Sequence, residues 1–254
     1  MLQHLDRSRR RVWRVSDGSP AGMPATQRNQ ALRYLADAGL LERVERGVYL
    51  VLPRSGRILV SPLELVGSWF EGEPHAVVGH AAAEYHRLTL DTSEVVEVQL
   101  GRKKASAEFQ GVRYVFSCVP MKRLLADNMR VEAGQAHTTV ASPGKLLVQL
   151  LEKSPARRSA RPTRDARLAV EVLEGGIRQN IWAKVDWPKL VRRHGNSSVA
   201  RRLGFLLQRS GIAAAEGLLD LRGGAGYVAF SPAYPPAGPT DPRWRLILND
   251  PMVQ

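Results

Sequence analysis

The chain has 254 residues, 44% of them hydrophobic, which is enough apolar material for a substantial core and one or two domains. Lysine and arginine number 37 against 24 aspartates and glutamates, a formal charge of +13, so the expected partner is a polyanion. A lone cysteine, Cys118, excludes an internal disulfide, and there is no apolar run of about 18 residues for a membrane span.

The N-terminus is basic but leads into no apolar core, so it does not read as a signal peptide, and a reducing cytoplasm is the expected compartment. Residues 1–56 carry ten arginines and five acids, a net +5. Pro24 suits a first helical turn. Beyond it Leu32 and Leu35, with Ala31 or Ala38, recur at helical spacing, while Gln27, Gln30, Arg33, Tyr34 and Asp37 fall on the opposite side. Gly39 can take the left-handed conformation that ends a helix, and Leu40 supplies the apolar contact of such a cap. Residues 41–51 are rich in branched and aromatic side chains and are broken by Glu45-Arg46-Gly47, a hairpin signal. Helix, glycine and hairpin in that order suit the recognition helix and wing of a winged helix-turn-helix. They also suit an ordinary helix and hairpin of any α+β protein.

Charge favours the DNA-binding alternative, because these arginines lie before the helix, on it and on the hairpin, where phosphates would pass. An RNA-binding sheet with paired aromatics is not evident. The expected base-reading residues are Thr26, Gln27, Gln30 and Arg33, since glutamine pairs with adenine and arginine with guanine in the major groove. Arg28 belongs to the same DNA-binding set, and Arg43 and Arg46 are expected to grip phosphates or the minor groove from the wing.

Pro53-Arg54-Ser55-Gly56 reads as a hinge, which places a DNA-binding domain at 1–56 and a larger domain at 57–254. Ser61 and Glu64 have capping-box spacing at the start of a helix running to about Phe70. A small-residue helix is expected over 81–89, and strands near Val95–Leu100 and Val112–Val119. Cys118 falls in the alternating series Val112, Tyr114, Phe116, which predicts a buried thiol. Val140-Ala141-Ser142-Pro143 reads as a strand passing into a capped helix with Leu146, Leu147, Leu150 and Leu151 as its apolar face. Residues 154–167 are basic and proline-broken and read as a mobile loop. Helices follow near 168–176, 187–194 and 198–209, with Gly195 ending one and Asn196 or Ser197 capping the next. Two short strands around a proline-rich loop complete the chain from Tyr227 to Asp250. The fold class is therefore α+β: an N-terminal winged helix-turn-helix followed by a larger mixed α/β domain.

Several motifs in order resemble a known family. They are Leu40-Leu41-Glu42-Arg43-Val44-Glu45-Arg46-Gly47-Val48-Tyr49, then His80-Ala81-Ala82-Ala83-Glu84-Tyr85-His86-Arg87-Leu88-Thr89. Thr139-Val140-Ala141-Ser142-Pro143 and Ala200-Arg201-Arg202-Leu203-Gly204-Phe205-Leu206-Leu207 complete the set. In their order and spacing the chain resembles the AbiEi-type antitoxins, transcriptional regulators of bacterial type IV toxin–antitoxin and phage-defence operons. The chain departs from the pattern at Arg87, where the family often has glycine, and at Gly144 and Gln149, where acids are usual. Its first winged-helix segment, Met1 to Asp6, is also short. The resemblance implies repression of its own operon through inverted repeats in double-stranded DNA. It also implies that the larger domain counteracts a co-encoded nucleotidyltransferase toxin.

The residues themselves do not read as an enzyme's. Gly67-Ser68 lacks the closely spaced acids a nucleotidyltransferase needs, and Gly223-Gly224-Ala225-Gly226 reads as a plain turn rather than a phosphate loop. His80 and His86 are six apart, unlike a zinc pair on one helical face. No metal or cofactor is expected. Two alternatives remain: a repressor with a small-molecule sensor domain, and a metal-dependent nuclease using Glu94 or Glu97 with Lys103 or Lys104. In the second domain Lys103, Lys104, Arg201 and Arg202 are candidates for a further basic surface, although Arg201 and Arg202 also suit an ordinary helix exterior.

Overall fold

The computed structural model describes all residues except 2, 6–9, 19, 21, 54–57, 153–165, 232 and 254. Its architecture is mixed α+β, in two compact units. The first comprises Met1–Val77, Glu94–Val119 and Met129–Val140, and the second Val78–Ser93, Pro120–Asn128 and Ala141–Gln254. The expected boundary at 56/57 falls among residues outside those described, and both sides of it belong to the first unit. The expected hinge at 53–56 is described only at Pro53, and the expected loop at 154–167 only at Ala166 and Arg167, which open a helix.

In the first unit, strand β1 (Val12–Arg14), helix α1 (Ala25–Asp37), and strands β2 (Leu41–Glu45) and β3 (Val48–Val51) follow in order. The three strands form an antiparallel sheet with β3 in the middle. Leu32 and Leu35 of α1 pack with Leu5, Trp13 and Leu41 into a small core, as the helical spacing predicts. Pro24 stands just before the helix as its N-cap. Gly39 has φ +70°, and the Gly39 and Leu40 amides donate to the carbonyls of Ala36 and Leu35. That bond pair is a Schellman cap, which requires left-handed backbone at the glycine.

Helix α2 (Pro62–Trp69) begins at Ser61, whose side chain accepts from the Glu64 amide. The reciprocal half of the expected capping box does not form. The buried Glu64 carboxylate instead accepts from the Gln135 amide at 3.2 Å and from Arg11 at 3.3 Å. A six-stranded sheet follows, built from β4 (His75–Val78), β5 (Val95–Leu100), β6 (Ala107–Phe109), β7 (Val112–Cys118), β8 (Asn128–Ala133) and β9 (Ala136–Ala141). Its order is β6-β7-β5-β4-β9-β8, with β5 parallel to β7 and β4 parallel to β9. Tyr114 and Phe116 of β7 pack edge-on against Trp69 of α2. Cys118, expected to be buried, is exposed. It occupies the last register pair of β7, opposite Leu100, and Ser117 and Cys118 are both open to solvent while Tyr114 is covered. Alternation thus fixes which way the thiol points but not how far the covering layer extends.

The second unit is mainly helical, with α3 (Gly79–Tyr85), α4 (Met121–Leu125), α5 (Pro143–Leu150), α6 (Ala166–Arg178), α7 (Trp187–His194) and α8 (Ser197–Arg209). Helix α5 is the hub, buried from Gly144 to Leu150 and packed against α3, α6 and α7. Ser142 caps it, and Asn196 caps α8. Lys145 is fully buried and forms no ion pair among the described residues. Its ammonium donates to the carbonyls of Arg123, Leu124 and Ala126 and, at 2.7 Å, to Asn128 Oδ1. Burial lowers its pKa to about 8.

Arg201 and Arg202 correct the expectation of a basic surface there, because both side chains are buried. Arg201 donates to the carbonyls of Arg222, Gly224 and Gly226, and Arg202 to those of Leu151 and Ala229. The glycine turn at 223–226 therefore serves as a carbonyl ligand for Arg201. Near the C-terminus, three short strands replace the expected two: β10 (Val228–Ala229), β11 (Thr240–Asp241) and β12 (Leu246–Ile247), with β12 central. No helix among the described residues is long and apolar enough to cross a membrane.

Helix α3 ends with the same cap as α1, the amides of Arg87 and Leu88 donating to the carbonyls of Glu84 and Ala83. Here, however, the left-handed position, φ +56°, holds Arg87. A side chain in that region costs about 1 kcal/mol relative to glycine. The R87G variant is therefore expected to gain about 0.5–1 kcal/mol of stability in urea unfolding. An unchanged or lower midpoint would mean that the Arg87 side chain supports the turn.

Burial lowers the pKa of His75, His86 and His194 below 6.5. Each therefore binds a proton less readily folded than unfolded, so stability falls as pH drops through and below about 6.5. Thermal melts at constant ionic strength should show a lower Tm at pH 5.5 than at pH 7.5. An equal or higher Tm at the lower pH would contradict the burial argument.

Candidate nucleic-acid interface

The charge of the N-terminal segment is sorted by pairing. Arg14 and Arg10 lie 2.7 and 3.5 Å from Asp17 and 3.1 and 2.6 Å from Glu71, and Arg11 lies 3.3 Å from Glu64. Glu42 accepts from the Gln110 amide group at 3.2 Å. Glu45 accepts from both Trp69 Nε1 and the Lys104 ammonium, which lies 4.9 Å from the Trp69 ring centre and 5.2 Å from that of Phe116. These contacts all tie the segment into its own unit. They leave Asp37 as the acid on α1 without an ion-pair partner among the described residues.

Four arginines are left over among the described residues of the segment. Arg28 and Arg33 from α1, with Arg43 and Arg46 from the β2–β3 hairpin, line one cleft of about 690 Å³ together with Asn29, Asp37 and Tyr49. None of the four forms an ion pair among the described residues, and the Nε of Arg28 is buried there without a hydrogen-bond partner. The hairpin geometry explains the segregation. In an unbroken strand Arg43 and Glu45 would share a face. A register irregularity lies between them, so Arg43 pairs across with Tyr49 and lines the cleft while Glu45 bonds Trp69 and Lys104. The turn itself is Arg46-Gly47, with Gly47 at φ +84°. Four unpaired guanidiniums around one acid make a cleft that can take an extended chain of phosphates.

The remaining sequence-predicted residues divide between sites. Thr26, Gln27 and Gln30 are exposed on α1 outside the cleft, and Tyr34 on the same helix is 72% exposed. Lys103 is exposed, but Lys104 is turned inward onto Glu45 and the aromatic rings, so only Lys103 of that pair faces solvent. Arg201 and Arg202 are internal to the second unit. Among the described residues there is no group of three or more His, Cys, Asp or Glu able to hold a metal ion. The convergence of Arg28 and Arg33 with the hairpin arginines escaped sequence reading, because it depends on how the helix and hairpin pack. The sequence matches no protein-family model, and no curated protein matches it.

Surface arginines without partners can be removed at little cost to the fold, usually within about 0.5 kcal/mol. R33A and R43A should therefore keep the wild-type Tm. E45A should lose about 1–3 kcal/mol, because it strands the Lys104 cation and the Trp69 N–H. A large loss in R33A or R43A would make the cleft arginines structural rather than functional.

Proposed function

We propose that this protein is a DNA-binding transcriptional regulator whose N-terminal helix and hairpin act as a winged helix-turn-helix. The observation that carries this reading is the cleft in which Arg28, Arg33, Arg43 and Arg46 meet around a single acid, Asp37, with no ion pair to any of the four among the described residues. Solvated surface arginines would be scattered or locally paired, as Arg10, Arg11 and Arg14 are. Four in one groove offer the counterion release that drives binding to duplex DNA. The sequence resemblance to the AbiEi-type antitoxins extends the proposal. The regulated promoter would be the protein's own, bound at inverted repeats, and a co-encoded nucleotidyltransferase toxin would be counteracted chiefly by the rest of the chain. In this reading the protein is not an enzyme, needs no cofactor and acts on the nucleoid.

One observation favours a second reading, a sensor domain governing DNA binding. The second unit has a pocket of about 400 Å³ walled by Trp182, Val185 and Leu190 and edged by Asp127, Ser142 and Lys189. Its size and mixed lining suit a small amphipathic molecule. A small molecule that binds this unit and changes operator affinity would favour the sensor over the antitoxin.

Repression and antitoxicity are best separated by point substitutions. Cutting the chain near residue 56 would remove Arg11 and Glu45, the partners of Glu64, Trp69 and Lys104. The R43A/R46A variant is expected to lose binding to DNA upstream of its own gene in gel shifts. It should still restore growth to cells expressing the adjacent toxin gene. Loss of rescue by that folded variant would mean that protection runs through DNA binding, and absence of wild-type binding at low salt would remove the DNA reading itself.

A further inference from the structure

We propose that the two exposed edges of α1 divide the work on DNA. The edge that carries Arg33 joins Arg43 and Arg46, with Arg28 from the half-buried side of the helix, in clamping one sugar-phosphate strand, and the Thr26–Gln27–Gln30–Tyr34 edge reads bases. The inference rests on the DNA-binding reading above and assigns each side chain a role within it. At 3.6 residues per turn, Thr26, Gln30 and Tyr34 stand in a row one turn apart, with Gln27 beside them. All four are exposed and none lines the cleft. Asn29, Arg33 and Asp37 lie on the edge toward the hairpin and do line it.

Arg33 alone could serve as a base reader, since a free guanidinium fits guanine. Its neighbourhood argues otherwise. A strand of phosphates entering the cleft passes between Arg33 and the hairpin arginines, whose charge is not offset by Glu42 or Glu45, since both are engaged elsewhere. Arg28 lines the same cleft and forms no ion pair among the described residues. On the other edge the groups are neutral. Glutamine amides can pair with adenine, and a tyrosine ring left 72% exposed on a helix gains by covering an apolar surface, which the thymine methyl provides in the major groove. Tyr34 thus becomes a specificity-determining residue, and Arg33 a phosphate contact.

The test uses the full-length protein, a duplex site selected from a random library, and a scrambled duplex, with affinities measured by fluorescence anisotropy across a salt series. R33A should weaken both duplexes by the same factor and make the slope of log K against log salt shallower by about one, while R33K keeps the slope. Q30A and Y34A should lower affinity for the selected site by about tenfold or more and leave the scrambled duplex unchanged. Replacing thymine by uracil in the selected site should weaken the wild type and not Y34A. The division of labour is overturned if R33A relaxes preference at one base with the slope unchanged, or if Y34A weakens both duplexes equally. Selection of no site and no duplex binding by the wild type at low salt, with tripolyphosphate raising its Tm, would instead defeat the DNA reading and leave a soluble-anion cleft.

Discussion

The carboxylate of Glu45 ties the hairpin of the N-terminal segment to the helix and sheet beside it. It sits at the base of the hairpin turn and accepts from both Trp69 Nε1 and Lys104, whose ammonium in turn rests on the Trp69 and Phe116 rings. The bond turns the hairpin's acid away from its arginines and fixes the strand in the irregular register that separates Arg43 from Glu45. With Glu42 engaged by Gln110 and Asp17 by Arg14 and Arg10, the segment's arginines without an ion pair among the described residues are gathered in one cleft. A single ion pair on a surface contributes little on its own. This one is partly desolvated by aromatic rings, and its main effect is on direction: it decides which charges remain available to a partner.

The second unit handles charge in a different way. Lys145, Arg201 and Arg202 are buried, and each donates chiefly to main-chain carbonyls and forms no ion pair among the described residues. The carbonyls are those of helix ends and irregular loops, which lack partners of their own in regular structure. A cation with several donors satisfies many of them at once, and its own burial is compensated by hydrogen bonds instead of an ion pair. Asp127 is the counterpart of opposite sign. Burial pushes its carboxyl up, but hydrogen bonds from His194 and Arg193 outweigh this and hold its pKa below the usual range. These groups pin α4, α7 and the C-terminal loops in place, so part of the basic composition of the chain is structural.

The elements of the fold were largely legible in the sequence because their signals are local. Leu32 and Leu35 marked the buried side of α1, Gly39 its end, and Ser142-Pro143 and Asn196 the starts of α5 and α8. Arg87, singled out because a glycine is usual there, lies in the left-handed conformation that glycine suits. What the sequence left open concerns how far a covering layer extends and which long side chains turn inward. Cys118 obeys the alternation of its strand yet lies past the covered part of the sheet. Arg201 and Arg202 read as helix exterior because charge normally faces water, but residues 222–229 supply most of their acceptors, with Leu151 accepting a further bond from Arg202.

The sequence by itself determined the helix, its glycine cap, the hairpin with Arg46-Gly47 at its turn and the excess of arginine around them, since each depends on spacing along a few consecutive residues. Only the tertiary structure decided which arginines are free. Arg10, Arg11, Arg14, Arg28, Arg33, Arg43 and Arg46 are alike in composition. They separate into paired and unpaired groups because Asp17, Glu64 and Glu71 come within reach of the first three and, among the described residues, no acid pairs with the other four. Electrostatic pairing acts over a few ångströms in space and carries no information about separation along the chain.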